Sequence, residues 1–306
     1  MSKDPDEKPD AILITGPTAS GKSALAIRMA RALGGVVVNA DSMQVYDTLR
    51  ILTARPGPDD MEGIPHHLYG HVPASESYST GAWLRDAGVL VQALRSQGTV
   101  PVFVGGTGLY FMALTGGLSD MPPVAPDIRD RLRARLTDEG PEALHADLLM
   151  RDPETAATLK PADGQRIVRA LEILQTTGRS IRDFQRENAP ALIDPDRARK
   201  YVVLPERSLL HQRIDARFAA MLDGGAIEEA RALLAQDLPA SLPAMKAIGV
   251  PQIAAYLEGR IDGAELIATG AAATRQYAKR QMTWFRNRMD ESWQRIDPTK
   301  DPVISG

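Results

Sequence analysis

Short apolar runs alternate with stretches of helical periodicity over the first third of the chain. The run at residues 11–15 predicts a buried strand, and apolar positions three and four apart between Leu25 and Leu33 predict the helix that follows. The β-branched run at 36–38 and the apolar run at 100–104 predict two more strands, of the uninterrupted kind that is typical of parallel sheets covered on both faces. The alternation therefore predicts an α/β fold with a doubly wound parallel sheet, in which ligands bind at the carboxyl ends of the strands.

The other segments after residue 53 have different patterns of hydrophobic and polar residues. Residues 54–80 are rich in Pro, Gly, His and Ser, which predicts a long loop, and a helix over about 80–94 follows with Ser79 or Thr80 as its cap. From there on, the pattern predicts a strand at 201–204 and later helices that begin at about Ser208, Gly225 and Asp262.

These patterns divide the chain into three parts. At 306 residues, and roughly 150 residues per domain, the chain has room for about two domains. We expect an α/β core built from residues 10–122 and about 195–295, the latter including C-terminal helices. A proline-rich linker and arginine-rich helical spacing predict a helical insertion domain over about 123–190, and the polar residues 1–9 are expected to be a disordered leader.

Composition narrows the class of protein. Hydrophobic residues make up 43% and charged residues 25% of the chain, with a formal net charge of -3, which is typical of a soluble globular protein and does not by itself indicate nucleic-acid binding. Zero cysteines exclude a disulfide framework, a cysteine nucleophile and thiolate zinc sites. With no secretory signal and no apolar run of about 18 residues, we expect a cytoplasmic protein without a membrane span.

The strongest motif lies between the first predicted strand and helix. It satisfies GxxxxGK[ST] in full, with the residues Gly16, Pro17, Thr18, Ala19, Ser20, Gly21, Lys22 and Ser23. The glycines let backbone N–H groups curl round a phosphate at a helix N-terminus, Lys22 adds a positive charge, and the Ser23 hydroxyl is the expected ligand of Mg²⁺. The motif predicts a P-loop NTPase-like fold that binds a di- or triphosphate, with ATP as one candidate.

Asp41 is the one carboxylate that we find directly after a predicted strand of this sheet. A hydrolytic ATPase carries a second Mg²⁺-binding carboxylate at a strand end, but the strand at 100–104 ends in Gly105 and Gly106. Asp41 therefore serves as a metal partner, as a base, or as an ordinary turn cap. The glycines around Thr107 indicate either a plain turn or a close approach of the backbone to a ligand.

Three histidines in the long loop raise the question of a metal site. His67 and His71 are four residues apart, which would place them on one face of a helix, with His66 beside them. Pro65 and Gly70 argue against a helix there, and the sequence does not show the set of acidic and thiolate partners that a metal site would need. We therefore do not predict a metal site at these histidines.

Several basic segments suit RNA. Residues 274–288 contain five basic residues, no acidic one and three aromatic ones, which suits phosphates and stacked bases, although a solvated basic helix has the same pattern. Gln165 and Arg169 share a helical face, and Arg213 and Arg217 are spaced in the same way. Alone, each of these pairs also fits an ordinary amphipathic helix.

Taken together, the motifs resemble those of the bacterial tRNA dimethylallyltransferase family. The matching segments are, in order, GPTASGKS, NADSMQVY, PHHL, VGGTGLY, QRIVRALE, HQRIDARF and TRQYAKRQMTWFRNR, and the match in order and spacing covers about residues 12–288. The resemblance implies that a dimethylallyl group passes from dimethylallyl diphosphate to the N6 amine of the adenosine immediately 3′ of the tRNA anticodon, in tRNAs that read U-starting codons. It also implies that the P-loop holds the diphosphate, with Mg²⁺, rather than ATP.

The resemblance further implies roles for individual residues. Asp41 matches the general base, Thr107 matches a residue that contacts the reacting substrates, and Arg217 joins Lys22 in neutralising the diphosphate. The implied tRNA contacts are Asp41, Ser42, Met43, Gln44, Thr107, Arg129, Gln165, Arg166, Ile167, Val168 and Arg169. From the basic segment 274–288 we add Arg275, Lys279 and Arg280 as expected tRNA contacts. We expect a monomer whose partners are the tRNA anticodon loop and dimethylallyl diphosphate.

Residues 247–252 depart from the family pattern. The family more often has an aromatic residue after Gly249 and then a basic one, whereas this chain has Val250 and Pro251. Any tRNA contact made there by relatives is therefore in doubt.

Three other functions fit parts of the sequence. A prenyltransferase acting on free adenosine phosphates would share the site but would need neither the helical insertion nor the basic C-terminal segment. A P-loop kinase for a small metabolite would require ATP, and a nucleotide-binding module without catalysis would not depend on Asp41.

Overall fold

The computed structural model describes residues 8–119, 121–187 and 190–298. Most of the predicted leader at residues 1–9 lies outside these ranges. The chain separates into two compact units, one formed by residues up to Thr115 and from Leu192 onward, and the other by Gly116–Ala191.

The first unit is built on a six-stranded sheet in which every neighbouring pair is parallel, as the sequence predicted. The strands lie in the order β3-β2-β4-β1-β5-β6. Their bounds are β1 Ile12–Thr15, β2 Val36–Asn39, β3 His66–His67, β4 Pro101–Gly105, β5 Arg199–Val203 and β6 Gln294–Ile296. The α-helices of the first unit that precede β5 are α1 Lys22–Leu33, α2 Thr80–Ser96, which Ser79 caps, and α3 Gly108–Gly116.

The apolar runs of the strands serve both faces of the sheet, because successive side chains alternate between faces. Leu13 and Phe103 belong to the core cluster that contains Trp83 of α2. Ile12, Ile14 and their neighbours belong to a separate cluster on the other face, with Leu25 of α1. Apolar side chains are thus needed at consecutive positions, which explains the uninterrupted runs.

After β5 the first unit continues with four helices. They are α9 Arg207–Asp223, α10 Ala226–Leu234, α11 Val250–Leu257 and α12 Gly263–Arg288. The second unit is helical and contains α4 Pro126–Glu139, α5 Pro141–Arg151, α6 Pro153–Ala156, α7 Gly164–Thr177 and α8 Ile181–Arg186. Its core includes Leu132, Leu144, Leu148 and Leu171.

The sequence prediction lacked helix α3 and also three short elements. Strand β3 lies inside the segment predicted to be a loop, where His66 and His67 pair with Val37 and Val38 of β2. The edge strand β6 and helix α11 were also missed. Elements of two, three and eight residues are too short for periodicity to identify, and β3 forms only because β2 supplies its partner.

Helix α11 explains the unusual Val250-Pro251 pair. Val250 is buried, and Pro251 lies in the first turn of the helix, where its missing N–H has no intrahelical partner to lose. Gly249 has φ 101°, and a Cβ there would lie 2.4 Å from Leu52 Cδ2. The buried Val250 side chain therefore packs in the core and is not accessible to a ligand.

Among the residues that the structure describes, no helix combines the length and the apolar character that crossing a membrane would require.

Candidate active site

The P-loop joins the end of β1 to the start of α1 through a tight curl. Ala19 and Gly21 both have positive φ, at 63° and 90°. Lys22 Nζ donates a hydrogen bond to the Pro17 carbonyl oxygen at 3.2 Å, so the amine folds back over the loop. The predicted motif thus adopts the strand–loop–helix context that a phosphate cradle requires.

A cavity of about 460 Å³ opens over this loop. Residues from Thr18 to Ser23 form its floor, and Asp41, Tyr69, Arg213 and Arg217 line it from other elements. Arg213 and Arg217 lie one turn apart on α9, so the spacing that was ambiguous in the sequence places both arginines beside the P-loop. With Lys22, the cavity collects three cations and one carboxylate, which favours a ligand that carries several negative charges.

Burial of the charged Lys22 and Arg217 side chains has a free-energy cost that a bound anion would offset. Burial lowers the pKa of Lys22 to about 8; the Asp41 carboxylate opposes this effect, and the nearby Arg217 charge adds to it. Burial also lowers the pKa of Arg217, again opposed by Asp41. A bound diphosphate would supply the missing negative charge and restore a fully protonated Lys22.

Asp41 is held at the end of β2 by its own neighbours. The buried Asn39 side chain accepts a hydrogen bond from Asp41 N at 2.8 Å and donates to Asp41 O at 2.9 Å. Asp41 Oδ1 accepts from Met43 N at 3.0 Å, so the turn-cap role considered from sequence is present. Because Asp41 also lines the cationic cavity, the cap holds a carboxylate in position for chemistry.

Thr107 links the β4 turn to the segment that follows Asp41. Its Oγ1 accepts from Ser42 N at 2.9 Å and donates to Ser42 Oγ at 3.2 Å. A Cβ on Gly105 would lie 2.0 Å from the carbonyl carbon and oxygen of Ala40, and one on Gly108 would lie 2.2 Å from the Trp284 ring. The glycines are therefore required by close packing against other parts of the protein, which differs from both interpretations of the sequence, a plain turn and a close approach to a ligand.

A second cavity of about 300 Å³ adjoins the first. Thr18, Ala19, Asp41, Thr53 and Arg217 line both cavities. The second one adds apolar side chains that the sequence analysis did not identify as site residues: Leu52, Ile214, Phe218, Met221 and Ile248. Ile214, Phe218 and Met221 lie on one face of α9, beside Arg217, and this spacing in the sequence could have identified these three as site residues.

The predicted RNA contacts of the first unit differ in their surroundings. Lys279 and Arg280 are exposed on α12, where they line a basic surface with Trp284. Arg275 instead forms an ion pair with Asp215 of α9. Gln44 donates to the Thr53 and Ala54 carbonyl oxygens at 2.9 and 3.0 Å, which fixes the loop beside the site.

The implied RNA contacts of the helical unit differ in burial. Ile167 and Val168 are 0% and 6% exposed and their side chains pack in the core of this unit, so the implied tRNA contact at these two positions stays a prediction that their side chains do not support. The helical period turns 167, 168 and 171 inward when 165 and 169 face outward. Arg129 and Arg169 contact Glu172 at 3.8 and 3.0 Å, whereas the exposed Arg166 pairs with Asp163 and Gln165 is exposed.

The histidines of the long loop have structural roles. His66 Nδ1 is 2.8 Å from the Ile64 carbonyl oxygen, and His71 Nε2 is 3.2 Å from the Tyr78 hydroxyl. Across the described part of the chain, no group of three or more His, Cys, Asp and Glu side chains is arranged to hold a metal ion.

Fold and site together define a P-loop protein whose cationic cradle adjoins a partly apolar cavity at a shared carboxylate. Residues 44–288 match the family model described as IPP transferase, and residues 9–69 match the one described as isopentenyl transferase. The chain belongs to the IPP transferase family.

Similar proteins agree with this assignment. The tRNA dimethylallyltransferase of Agrobacterium fabrum is 65% identical over 298 residues, which cover 97% of this chain and 100% of that protein. The crystal structure of the full-length tRNA isopentenylpyrophosphate transferase from Bacillus halodurans is 34% identical, with a TM-score of 0.67, and the match covers 95% of this chain and 90% of that one. A eukaryotic dimethylallyltransferase acting on tRNA is 29% identical with a TM-score of 0.78, over 90% of this chain and 69% of that one.

The lowered pKa of Lys22 predicts how diphosphate binding depends on pH. Binding requires protonated Lys22, so the affinity for inorganic pyrophosphate should fall as the pH rises through about 8 and be roughly tenfold weaker at about pH 9 than at about pH 7. Isothermal titration calorimetry measures this. Pyrophosphate itself gains negative charge over the same range, which acts in the opposite direction.

The exposed Lys160 of the helical unit offers a matched control for this experiment. Lys160→Met should reproduce the wild-type curve, whereas Lys22→Met should bind weakly at every pH. The ratio of the wild-type affinity to the Lys22→Met affinity removes the contribution of pyrophosphate's own titration, and a ratio that is flat or rises with pH would contradict the assignment of Lys22.

Proposed function

We propose that this protein transfers a dimethylallyl group from dimethylallyl diphosphate to the N6 amine of the adenosine next to the anticodon in tRNA, on its 3′ side. The observation that carries the proposal is that Asp41 lines both the cationic cavity and the partly apolar one. A single carboxylate therefore lies where a diphosphate and an apolar group attached to it would meet. The finer features, namely tRNAs that read U-starting codons, a cytoplasmic location and a monomer, belong to the same proposal.

The charges of the cradle suit a departing diphosphate. Lys22 and Arg217 offset the negative charge that develops on it, and backbone N–H groups at the start of α1 bind its oxygens. Ser23 and Asp41 line the same cavity, so the Ser23 hydroxyl would hold a Mg²⁺ ion there. When bound, such an ion adds further charge neutralisation at the leaving group.

The apolar cavity suits the five-carbon group. Leu52, Ile214 and Phe218 offer surfaces that a branched hydrocarbon can bury, at about 0.8 kcal/mol per buried CH₂. A prenyl diphosphate carries its hydrocarbon directly on the diphosphate, whereas in a nucleoside triphosphate a polar ribose separates the phosphates from the base. The cavity therefore favours a prenyl diphosphate over ATP as the ligand of the P-loop.

Asp41 takes the role of general base. The new bond forms between the adenine N6 atom and the first carbon of the dimethylallyl group, and the bond from that carbon to the diphosphate oxygen breaks. The N6 atom loses a proton to the Asp41 carboxylate as the bond forms, because its lone pair is delocalised into the ring and is a weak nucleophile. Thr107 and the Ser42 backbone hold the segment that carries Asp41 during this step.

Two features favour tRNA over a free adenosine phosphate as the acceptor. The relatives named above act on tRNA according to their names. In this chain, Lys279 and Arg280 expose positive charge on α12, and Arg129, Gln165, Arg166 and Arg169 are the proposed RNA contacts of the helical unit. Single-stranded RNA loops present unstacked bases to such surfaces, so an adenosine can leave the anticodon loop and reach Asp41.

A kinase is disfavoured by the end of β4. That strand ends at Gly105, against the Ala40 backbone, so it does not supply the strand-end carboxylate that a hydrolytic P-loop site uses for Mg²⁺.

Asp41→Asn is the direct test of the proposed mechanism. The amide keeps an oxygen for the Met43 N–H bond, so the loop should stay in place while the base is lost. The single-turnover rate of prenyl transfer to tRNA should fall by about 10²-fold or more, whereas the Kd for tRNA should stay within about twofold. Labelled dimethylallyl diphosphate and filter binding measure the two quantities.

Asp47→Asn is the matched control, because Asp47 is an exposed carboxylate in the same loop. Its transfer rate should equal that of the wild type. If Asp41→Asn also retains a near-normal single-turnover rate, Asp41 is not the base.

The surface of α12 predicts unequal contributions to RNA binding. Lys279→Gln should weaken tRNA binding and lower the slope of log K against log salt by about 1, as expected for one lost phosphate contact. Arg275→Gln should change the slope less, because Asp215 already neutralises Arg275. Titrations of labelled tRNA at several salt concentrations measure both slopes, and equal slopes in both variants and the wild type would argue against RNA binding at α12.

A further inference from the structure

Gln281 is a buried polar side chain of α12 that uses both ends of its amide. Only 6% of it is exposed. Its Oε1 accepts a hydrogen bond from Thr18 N of the P-loop at 3.0 Å, and its Nε2 donates to the Gly106 carbonyl oxygen at 3.0 Å. The orientation of the amide follows from its partners, since a backbone N–H requires an acceptor and a carbonyl requires a donor.

The β4 turn is shaped around this side chain. A Cβ on Gly106 would lie 2.2 Å from Gln281 Nε2 and 3.3 Å from Asp41 Oδ2. One turn further along α12, the Trp284 ring occupies the corresponding space at Gly108. Two of the three glycines of the turn thus make room for α12, and Gly106 is the one that brings Gln281 and Asp41 close to the same point.

We propose that Gln281 is a positioning residue that sets the distance between the diphosphate cradle and the acceptor side of the site. The inference rests on the transfer reaction proposed above. On one side, Gln281 holds the P-loop that carries Lys22. On the other side, it holds the turn that carries Thr107, whose hydroxyl accepts from Ser42 N next to Asp41.

Such a bridge acts on the rate more than on substrate affinity. The leaving diphosphate is bound by the P-loop, and the amine is deprotonated at Asp41, so the two must be held within reach of one carbon atom. A misplacement of about 1 Å between reacting groups can cost about 10²-fold in rate. The bridge joins the two sides directly, because each hydrogen bond ends on the backbone of one of the two loops.

An amide is suited to this task in a way that other side chains are not. Thr18 N requires a hydrogen-bond acceptor and the Gly106 carbonyl oxygen requires a donor, both from one buried side chain. A buried amide is tolerated only when its oxygen and its nitrogen both form hydrogen bonds. Methionine has nearly the same shape but makes neither bond. A carboxylate keeps the acceptor for Thr18 N but repels the Gly106 carbonyl oxygen.

The first test compares Gln281→Met with a stability control. Gln281→Met should lower the single-turnover rate of prenyl transfer at saturating substrates by about 10²-fold, with Kd values for pyrophosphate and tRNA within about threefold of the wild type. Leu266→Ala removes a buried side chain near the start of α12, so it should lower the melting temperature without slowing transfer in the folded protein.

The second test uses Gln281→Glu. When protonated, the introduced carboxyl can donate to Gly106 O and accept from Thr18 N, so the activity relative to the wild type should rise as the pH falls. Burial near a carboxylate raises the pKa of such a group towards neutrality. The titratable and charged groups that line the adjoining cavities are Lys22, Asp41, Tyr69, Arg213, Arg217, Tyr277 and Arg280, and the ratio to the wild type cancels their own contribution.

The outcomes separate the two claims. If the wild type transfers no label to tRNA, the proposed function fails, whatever Gln281 does. If the wild type is active and Gln281→Met loses rate only in proportion to its unfolded fraction, or Gln281→Glu keeps a constant ratio to the wild type at all pH values, the positioning role is overturned.

Discussion

The site depends on the close approach of two strand ends. Gly105, the last residue of β4, packs so tightly on Ala40 that a Cβ would lie 2.0 Å from its carbonyl group, and Thr107 N donates to Ala40 O at 3.2 Å. Because β4 lies between β2 and β1, this contact brings Asp41 and the P-loop to the same edge of the sheet. A larger residue at 105 would separate the strands and move the carboxylate away from the cationic cavity.

The charges of Lys22, Arg217 and Asp41 determine what binds at this edge of the sheet. Lys22 and Arg217 are desolvated beside a single carboxylate, so the cradle carries more positive charge than Asp41 balances. A diphosphate relieves this cost on binding, and the same charges stabilise it as it leaves with an additional negative charge. The apolar cavity next to the cradle explains how a P-loop, which elsewhere serves nucleotides, can serve a ligand whose other end is a hydrocarbon.

The sequence predicted those parts of the molecule whose signals are local. The conformation of the P-loop follows from its glycines and from its position between a strand and a helix. Asp41 directly follows a strand that its β-branched run identifies as buried. Gln281 could not be predicted in the same way, because its partners lie 263 and 175 residues away and a single glutamine in a basic helix gives no signal of its own. The apolar lining by Leu52 and Ile248 likewise arises only when separate elements meet.

The most direct test of this account supplies the purified protein with Mg²⁺, labelled dimethylallyl diphosphate and either unmodified tRNA that reads U-starting codons or free AMP, without ATP. The account predicts that label enters tRNA, at the adenosine 3′ of the anticodon, and that AMP stays unlabelled. Label in AMP alone would indicate a prenyltransferase for free nucleotides. Transfer to neither acceptor, with ATP consumed when it is added, would contradict the account and favour a kinase.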